Sequence, residues 1–176
     1  MANLFRRNLI KVNTLKPSRL HFSVFQWNAF GSSYSKPNKV PKVPAKYLGF
    51  NYRKNLLSQE IKSFNADLIF LEEVDISDVP FFRSLYDEDE YFMRFVKREL
   101  HSDGNCLFIK RDFEILEMEI LQHHHNGKND DQVSQIAVIQ PKLAKDVYLI
   151  IGLVHLKFGP FSKLTRERHA NQVIES

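Results

Sequence analysis

The chain has 176 residues, 43% of them hydrophobic and fifteen of them Phe, which suits one globular domain with ample core material. No apolar run approaches the roughly 20 residues that a bilayer crossing needs, so a soluble protein without membrane insertion is expected. The net charge of +4 conceals an asymmetry: residues 1–59 hold eleven Lys or Arg and no acid, while residues 60–176 hold fourteen basic and twenty-one acidic residues. A basic first third suits an anionic, phosphate-rich partner.

In chain order, residues 1–20 form a basic arm. A flexible tail and a mitochondrial transit peptide, Arg-containing and acid-free, both fit it. Residues 22–30 are apolar and aromatic and predict a strand that ends in Gln26-Trp27-Asn28. Gly31 to Pro44, rich in Ser, Pro, Lys and Asn, predicts a loop. Residues 51–64 place Leu56, Leu57, Ile61 and Phe64 on one helical face. The apolar run Leu68-Ile69-Phe70-Leu71 predicts a strand covered on both faces. Strand, helix and strand in succession point to a mixed or parallel sheet with a covering helix, an α/β (α+β) fold.

Three carboxylates, Glu72, Glu73 and Asp75, follow that run directly. Side-chain alternation sends Glu73 and Asp75 to one side and Glu72 to the other. Acids after a strand are more often a solvated turn, but a carboxylate at the mouth of a sheet is also a hard oxygen ligand suited to Mg²⁺.

Further on, residues 78–86 predict a short helix with Pro80 in its first turn. Strands are expected near 91–98, 105–110, 113–120, 133–140 and 147–154, separated by turn-like pieces at 101–104, 111–112, 123–130 and 141–146. Residues 162–176 predict a helix that no Gly, Asn or Pro closes, so the chain is expected to be cut inside an element. Cys106, the lone cysteine, excludes an intrachain disulfide and favours cytosol, nucleus or mitochondrial matrix. It is expected to be a small core residue. Phe81-Phe82 and Tyr91-Phe92 are expected to pack in the core rather than stack on bases. His123-His124-His125 is expected to be a solvated loop, since consecutive strand residues alternate and seldom share one zinc ion.

Taken together, Gln26-Trp27-Asn28, Leu71-Glu72-Glu73-Val74-Asp75, Asp103-Gly104-Asn105-Cys106, Asp131-Gln132-Val133 and Val154-His155-Leu156-Lys157 stand in an informative order. Over residues 21–172 they resemble the endonuclease/exonuclease/phosphatase superfamily, in its nocturnin-like deadenylase branch. Arg53 matches the Arg that precedes the family's first helix. The resemblance implies part of a four-layer αββα sandwich over residues 21–176. It implies Glu73 as a magnesium ligand, with Mn²⁺ as a substitute, and Asn28 as an organiser of the metal-bound phosphate. His155 would donate to a non-bridging phosphate oxygen and Lys157 would contact substrate phosphate. The implied activity is hydrolysis of a phosphoester, in poly(A) RNA or at the 2′-phosphate of NADP(H).

Departures accompany the likeness. Glu72 stands where the family carries Gln, Gly159 where a basic residue grips phosphate, and Asp131 where Asn is usual. The family's late Asp-x-Asn and Asp-His motifs have no counterpart before Ser176. The chain alone is therefore expected to be inactive, with one sheet face uncovered and open to self-association. The competing reading is a non-catalytic fragment. Cytoplasmic localisation is expected, with mitochondrial import as the alternative.

Overall fold

The computed structural model describes residues 21–126, 128–157, 159 and 162–175. The basic arm at 1–20 lies outside the described residues. Among the described residues seven strands and three α-helices follow in order: β1 Val24–Asn28, α1 Phe50–Phe64, β2 Leu68–Asp75, α2 Val79–Arg83, β3 Tyr91–Lys97, β4 Asp103–Lys110, β5 Phe113–His125, β6 Lys128–Pro141, β7 Leu149–Val154 and α3 Lys163–Glu175. Short 3-10 turns occupy Ala45–Tyr47 and Ile76–Asp78.

The strands form two sheets, one in the order β1-β2-β4-β3 and one in the order β5-β6-β7. β1 runs parallel to β2 because α1 carries the chain back between them, whereas every other pairing is antiparallel. Two apolar clusters account for the layering. Ile69, Leu71, Phe108 and Cys106 meet Leu57 and Ile61 of α1 and Phe82 of α2. Leu68, Leu107 and Ile109, on the opposite face of the same sheet, meet Ala137, Ile139 and Leu153 of the second sheet. On the outside of the second sheet, α3 lays His169 over His123, with ring centroids 4.4 Å apart. The order helix, sheet, sheet, helix is the expected αββα arrangement. Cys106 is buried, as expected, and burial pushes its thiol pKa up. Phe82 and Tyr91 are likewise core residues. No helix among the described residues is long and apolar enough to cross a membrane.

Three expectations need correction. The inner face of the first sheet is not uncovered: Leu107 and Ile109 of β4 are wholly buried against Leu153 of β7. Each such side chain contributes about 1.5–3 kcal/mol. The exposed apolar residues here are instead ones such as Tyr148 and Ile150. Asp103-Gly104 is not a turn before a strand but the start of β4 itself. His123-His124-His125 belongs to β5, in a hairpin whose ladder reaches the pair His125 and Lys128. His123 is buried there. Gln172 Nε2 donates to the His124 carbonyl, which turns Gln172 Oε1 to within 2.8 Å of His123 Nδ1. The other ring nitrogen lies 2.7 Å from Ser134 Oγ. A polar triplet looked like a loop, but a helix that arrives far later in the chain supplies the partners that let one ring be buried.

Candidate active site

The position of Glu73 depends on a one-residue irregularity in β2. The ladder pairs Leu71 with Cys106 but Val74 with Gly104, so β2 carries one residue more than β4 over this stretch. Ile69, Leu71 and Val74 all pack into the helix-side core, at a spacing of two and then three. Strict alternation would have put Glu73 in that apolar layer. The extra residue is accommodated with Glu73 in the left-handed region, at φ 53°. The bulge thus corrects the expected alternation and turns Glu73 to the mouth of the sheet.

Close backbone approaches lie on both flanks of the bulge, one onto β2 itself and one between its partner β4 and β3. A Cβ on Gly31 would lie 2.7 Å from the Glu73 carbonyl oxygen, so only glycine lets the chain leaving β1 pass so close. On the other flank, a Cβ on Gly104 would lie 2.0 Å from the Val96 carbonyl oxygen. Ala29 N donates to the Glu72 carbonyl at 2.8 Å, extending the β1–β2 pairing to the site.

Glu73 lines a cavity of about 600 Å³ with Asn28, Phe30, Tyr34, Lys39, Val40, Arg98, Gln132 and His155. Its Oε1 is 3.5 Å from His155 Nε2, and both side chains are partly exposed. Asn28 ends β1, and its Oδ1 accepts from Phe30 N at 2.8 Å, bending the chain into the following turn. Asn28, Glu73 and His155 therefore converge from three separate strand ends. Lys157 does not join them. It is exposed, outside the cavity lining, and its carbonyl accepts from Arg166 Nη1 at 3.3 Å.

The neighbouring acids have other tasks. Glu72 is buried and accepts from Gln26 Nε2 at 2.6 Å. Asp75 accepts from Ser33 N, Ser77 N and Oγ, and Ser102 Oγ. Burial alone would raise its pKa, but these bonds outweigh burial and hold it below the usual value. Asp131 lies 2.7 Å from His101 Nε2 and accepts from Leu100 N, securing the β3–β4 connection.

A supporting network completes one wall. Arg98 Nη2 donates to Asp103 Oδ1 at 2.6 Å and to Tyr34 Oη at 2.5 Å. Burial works against the Arg98 charge, but the bond to Asp103 and its negative charge prevail, so the pKa is held above its usual value. Gln132 links this pair to the site once its side-chain amide is turned to suit its neighbours: in that orientation its nitrogen donates to the His155 carbonyl at 2.8 Å and its oxygen accepts from Arg98 Nη1 at 3.2 Å. Tyr34, Lys39, Arg98 and Gln132 had no chemical signal in the sequence, although Gln132 stood inside one of the motifs that carry the family resemblance.

Glu73 is a carboxylate in an open cavity, which fits a Mg²⁺ ion that takes one or two carboxylates and completes its shell with water and phosphate oxygens. Among the described residues no group of three His, Cys, Asp or Glu side chains forms a protein cage.

The endonuclease/exonuclease/phosphatase family model matches residues 25–149. The Arabidopsis thaliana protein "Carbon catabolite repressor protein 4 homolog 3" is 30% identical over 144 residues, covering 79% of this chain and 32% of that protein. The Schizosaccharomyces pombe "CCR4-Not complex 3'-5'-exoribonuclease subunit Ccr4" is 33% identical over 76 residues, covering 41% of this chain and 11% of its own length. The chain thus spans about a third or less of these curated relatives. The human nocturnin catalytic domain with bound sulfate superposes with a TM-score of 0.72 at 19% identity, over 88% of this chain and 56% of its own. ANGEL2, described as a 2',3'-cyclic phosphatase, superposes with a TM-score of 0.71 at 23% identity, over 83% of this chain and 44% of its own. At these identities the two structures share the fold.

Proposed function

This chain belongs to the endonuclease/exonuclease/phosphatase family, and on that premise we propose that it supplies one wall of a divalent-metal phosphoester hydrolase site. Glu73 is the residue that would hold Mg²⁺, with Mn²⁺ as a substitute. The ion, when bound, polarises the phosphoryl group and stabilises the displaced oxygen. The carrying observation is the bulge, which removes Glu73 from the apolar layer and sets it 3.5 Å from His155 in a cavity that Asn28 also lines.

The chain's own groups have distinct parts in this reading. His155 donates to a non-bridging phosphate oxygen as charge gathers there. Gln132 and Arg98 keep its backbone in place. Asn28, with its Oδ1 already engaged by Phe30 N, offers its amide nitrogen to the phosphate. Lys157, exposed beyond the cavity, meets more distant phosphate. The substrate is the 3′ end of poly(A) RNA, in keeping with the exoribonuclease named among the relatives, or the 2′-phosphate of NADP(H).

A second reading, a non-catalytic piece of such an enzyme, is favoured by one feature. Glu73 is the single carboxylate lining the cavity among the described residues, and activation of water needs a correctly placed partner. The deciding experiment measures hydrolysis of oligoadenylate and of NADPH with Mg²⁺ or Mn²⁺, for the chain and for Glu73→Gln. Turnover that falls at least about a hundredfold in the variant supports the first reading. Silence of the unmodified chain on both substrates supports the second. Near-normal turnover in the variant removes Glu73 from the site.

A further inference from the structure

The loop between β1 and α1 is basic, ordered and exposed. Lys36, Lys39, Lys42 and Lys46 lie on it, and no acid occurs before Glu60. Among the described residues none of the four lysines pairs with a carboxylate. The segment is nevertheless built. Val40 N donates to the Lys36 carbonyl, Val43 N to Val40 and Tyr47 N to Pro44. Ser35 Oγ donates to the carbonyl of buried Leu48 at 2.8 Å. Three prolines, Pro37, Pro41 and Pro44, stiffen what lies between.

At its far end the loop presents two tyrosines. Tyr47 and Tyr52 are 40% and 45% exposed, with ring centroids 5.2 Å apart. Lys46 Nζ lies 4.9 Å from the Tyr47 ring centre. The aromatic pairs Phe81–Phe82 and Tyr86–Tyr91 belong to the helix-side core; this one faces water.

The loop meets the cavity at Lys39 and Val40, and its far end is tied back to a cavity residue, Phe30, through Arg53. Arg53, next to Tyr52, donates to the Ala29 carbonyl at 2.8 Å and lies over the ring of Phe30, which lines the same cavity.

We propose that residues 36–52 form a track for a single-stranded nucleic acid that leads into the cavity. Lys39 takes a backbone phosphate at the rim, Lys42 and Lys46 take phosphates farther out, and the Tyr47–Tyr52 pair stacks a base. Unneutralised lysines follow a backbone and exposed rings accept any base face, which is the recognition of single strands without sequence readout. A duplex hides its base faces from such rings. The proposal rests on the reading of the cavity as a phosphoester site only for where the strand leads; binding does not require it.

The test uses the whole chain in EDTA, so that metal and turnover play no part. Fluorescence anisotropy follows a labelled oligoadenylate of about 12 nucleotides, a duplex of equal length, and vesicles rich in phosphatidylserine. The single strand should bind, and more tightly than the duplex. Tyr47→Leu with Tyr52→Leu should weaken it about tenfold. Lys42→Gln with Lys46→Gln, exposed changes that keep the loop's fold, should weaken it and reduce the logarithmic salt slope by about 1.4 over roughly 50–200 mM. Equal affinity of the tyrosine variant and the unmodified chain would overturn the track, as would vesicle binding that exceeds strand binding. Strand binding that responds to these variants in a chain that hydrolyses nothing would sink the catalytic reading and leave the track standing. Hydrolysis with strand binding indifferent to them would do the reverse.

Discussion

Gly104→Ala tests whether the bulge and the supporting network form one unit. The new Cβ would lie 2.0 Å from the Val96 carbonyl oxygen and 2.7 Å from Lys97 Cα. Both belong to β3 backbone, so no side chain can swing aside. Ordinary contact requires β3 to retreat by about 1 Å or more, which disrupts the pairing of Lys97 with Gly104 and of Val96 with Asn105. Overpacking costs about 1–3 kcal/mol and the weakened ladder about 1 kcal/mol more, giving about 2–4 kcal/mol in all. For a chain of this size the melting temperature should fall by about 5–15 °C. The damage should also reach the site, because Arg98 N donates to the Asp103 carbonyl beside Gly104 and Arg98 supports Gln132 and His155. Urea denaturation followed by far-UV circular dichroism measures the stability change. A loss below about 0.5 kcal/mol would refute the close approach of β3 to Gly104.

Glu72→Gln should be tolerated, costing about 1 kcal/mol or less, because the amide keeps an acceptor for Gln26 Nε2; complete loss of metal-dependent turnover would mean that the two glutamates have been exchanged in role. Asn105→Ala should cost about 1–3 kcal/mol in urea denaturation, since Asn105 Nδ2 donates across the sheets to the Val133 carbonyl at 2.8 Å; an unchanged midpoint would show that this bridge is dispensable. Burial depresses the His123 pKa below its ordinary 6.5, against the bond to Gln172 and with the help of neighbouring His169. Asp130 opposes the depression and His124 adds to it. The unfolded chain therefore takes up a proton before the folded one as pH falls below about 6.5, and stability should decline in that window. Melting curves between about pH 7.5 and pH 5.5 check this, and an identical slope in His123→Gln would acquit His123.

What could be read from the sequence and what could not differ by distance along the chain. Asn28, Glu73 and His155 were visible because each ends its own apolar run, so the strand and its terminal group lie within a few residues of one another. The residues that aim them are set by partners far away. Arg98 has its role because β3 and β4 pair and bring it to Asp103, and Gln132 because β6 passes beside the end of β7. His123 looked like part of a turn because its partners Gln172 and His169 stand more than forty residues later.

The bulge makes the same point at the site itself. Alternation is the correct rule for a regular strand, and it placed Glu73 and Asp75 together. One additional residue in β2 breaks that rule, and nothing within Leu71-Glu72-Glu73-Val74-Asp75 announces it. Two residues without Cβ stand beside it: Gly31 lets the chain leaving β1 come close to the Glu73 carbonyl, and Gly104, the ladder partner of Val74, lets β3 come close to β4. A glycine beside a loop or an Asp-Gly pair reads as a turn when only its neighbours in sequence are considered. In this fold both act as clearances, while the bulge lets β2 turn a carboxylate to the cavity and keep its helix-side face apolar through Val74.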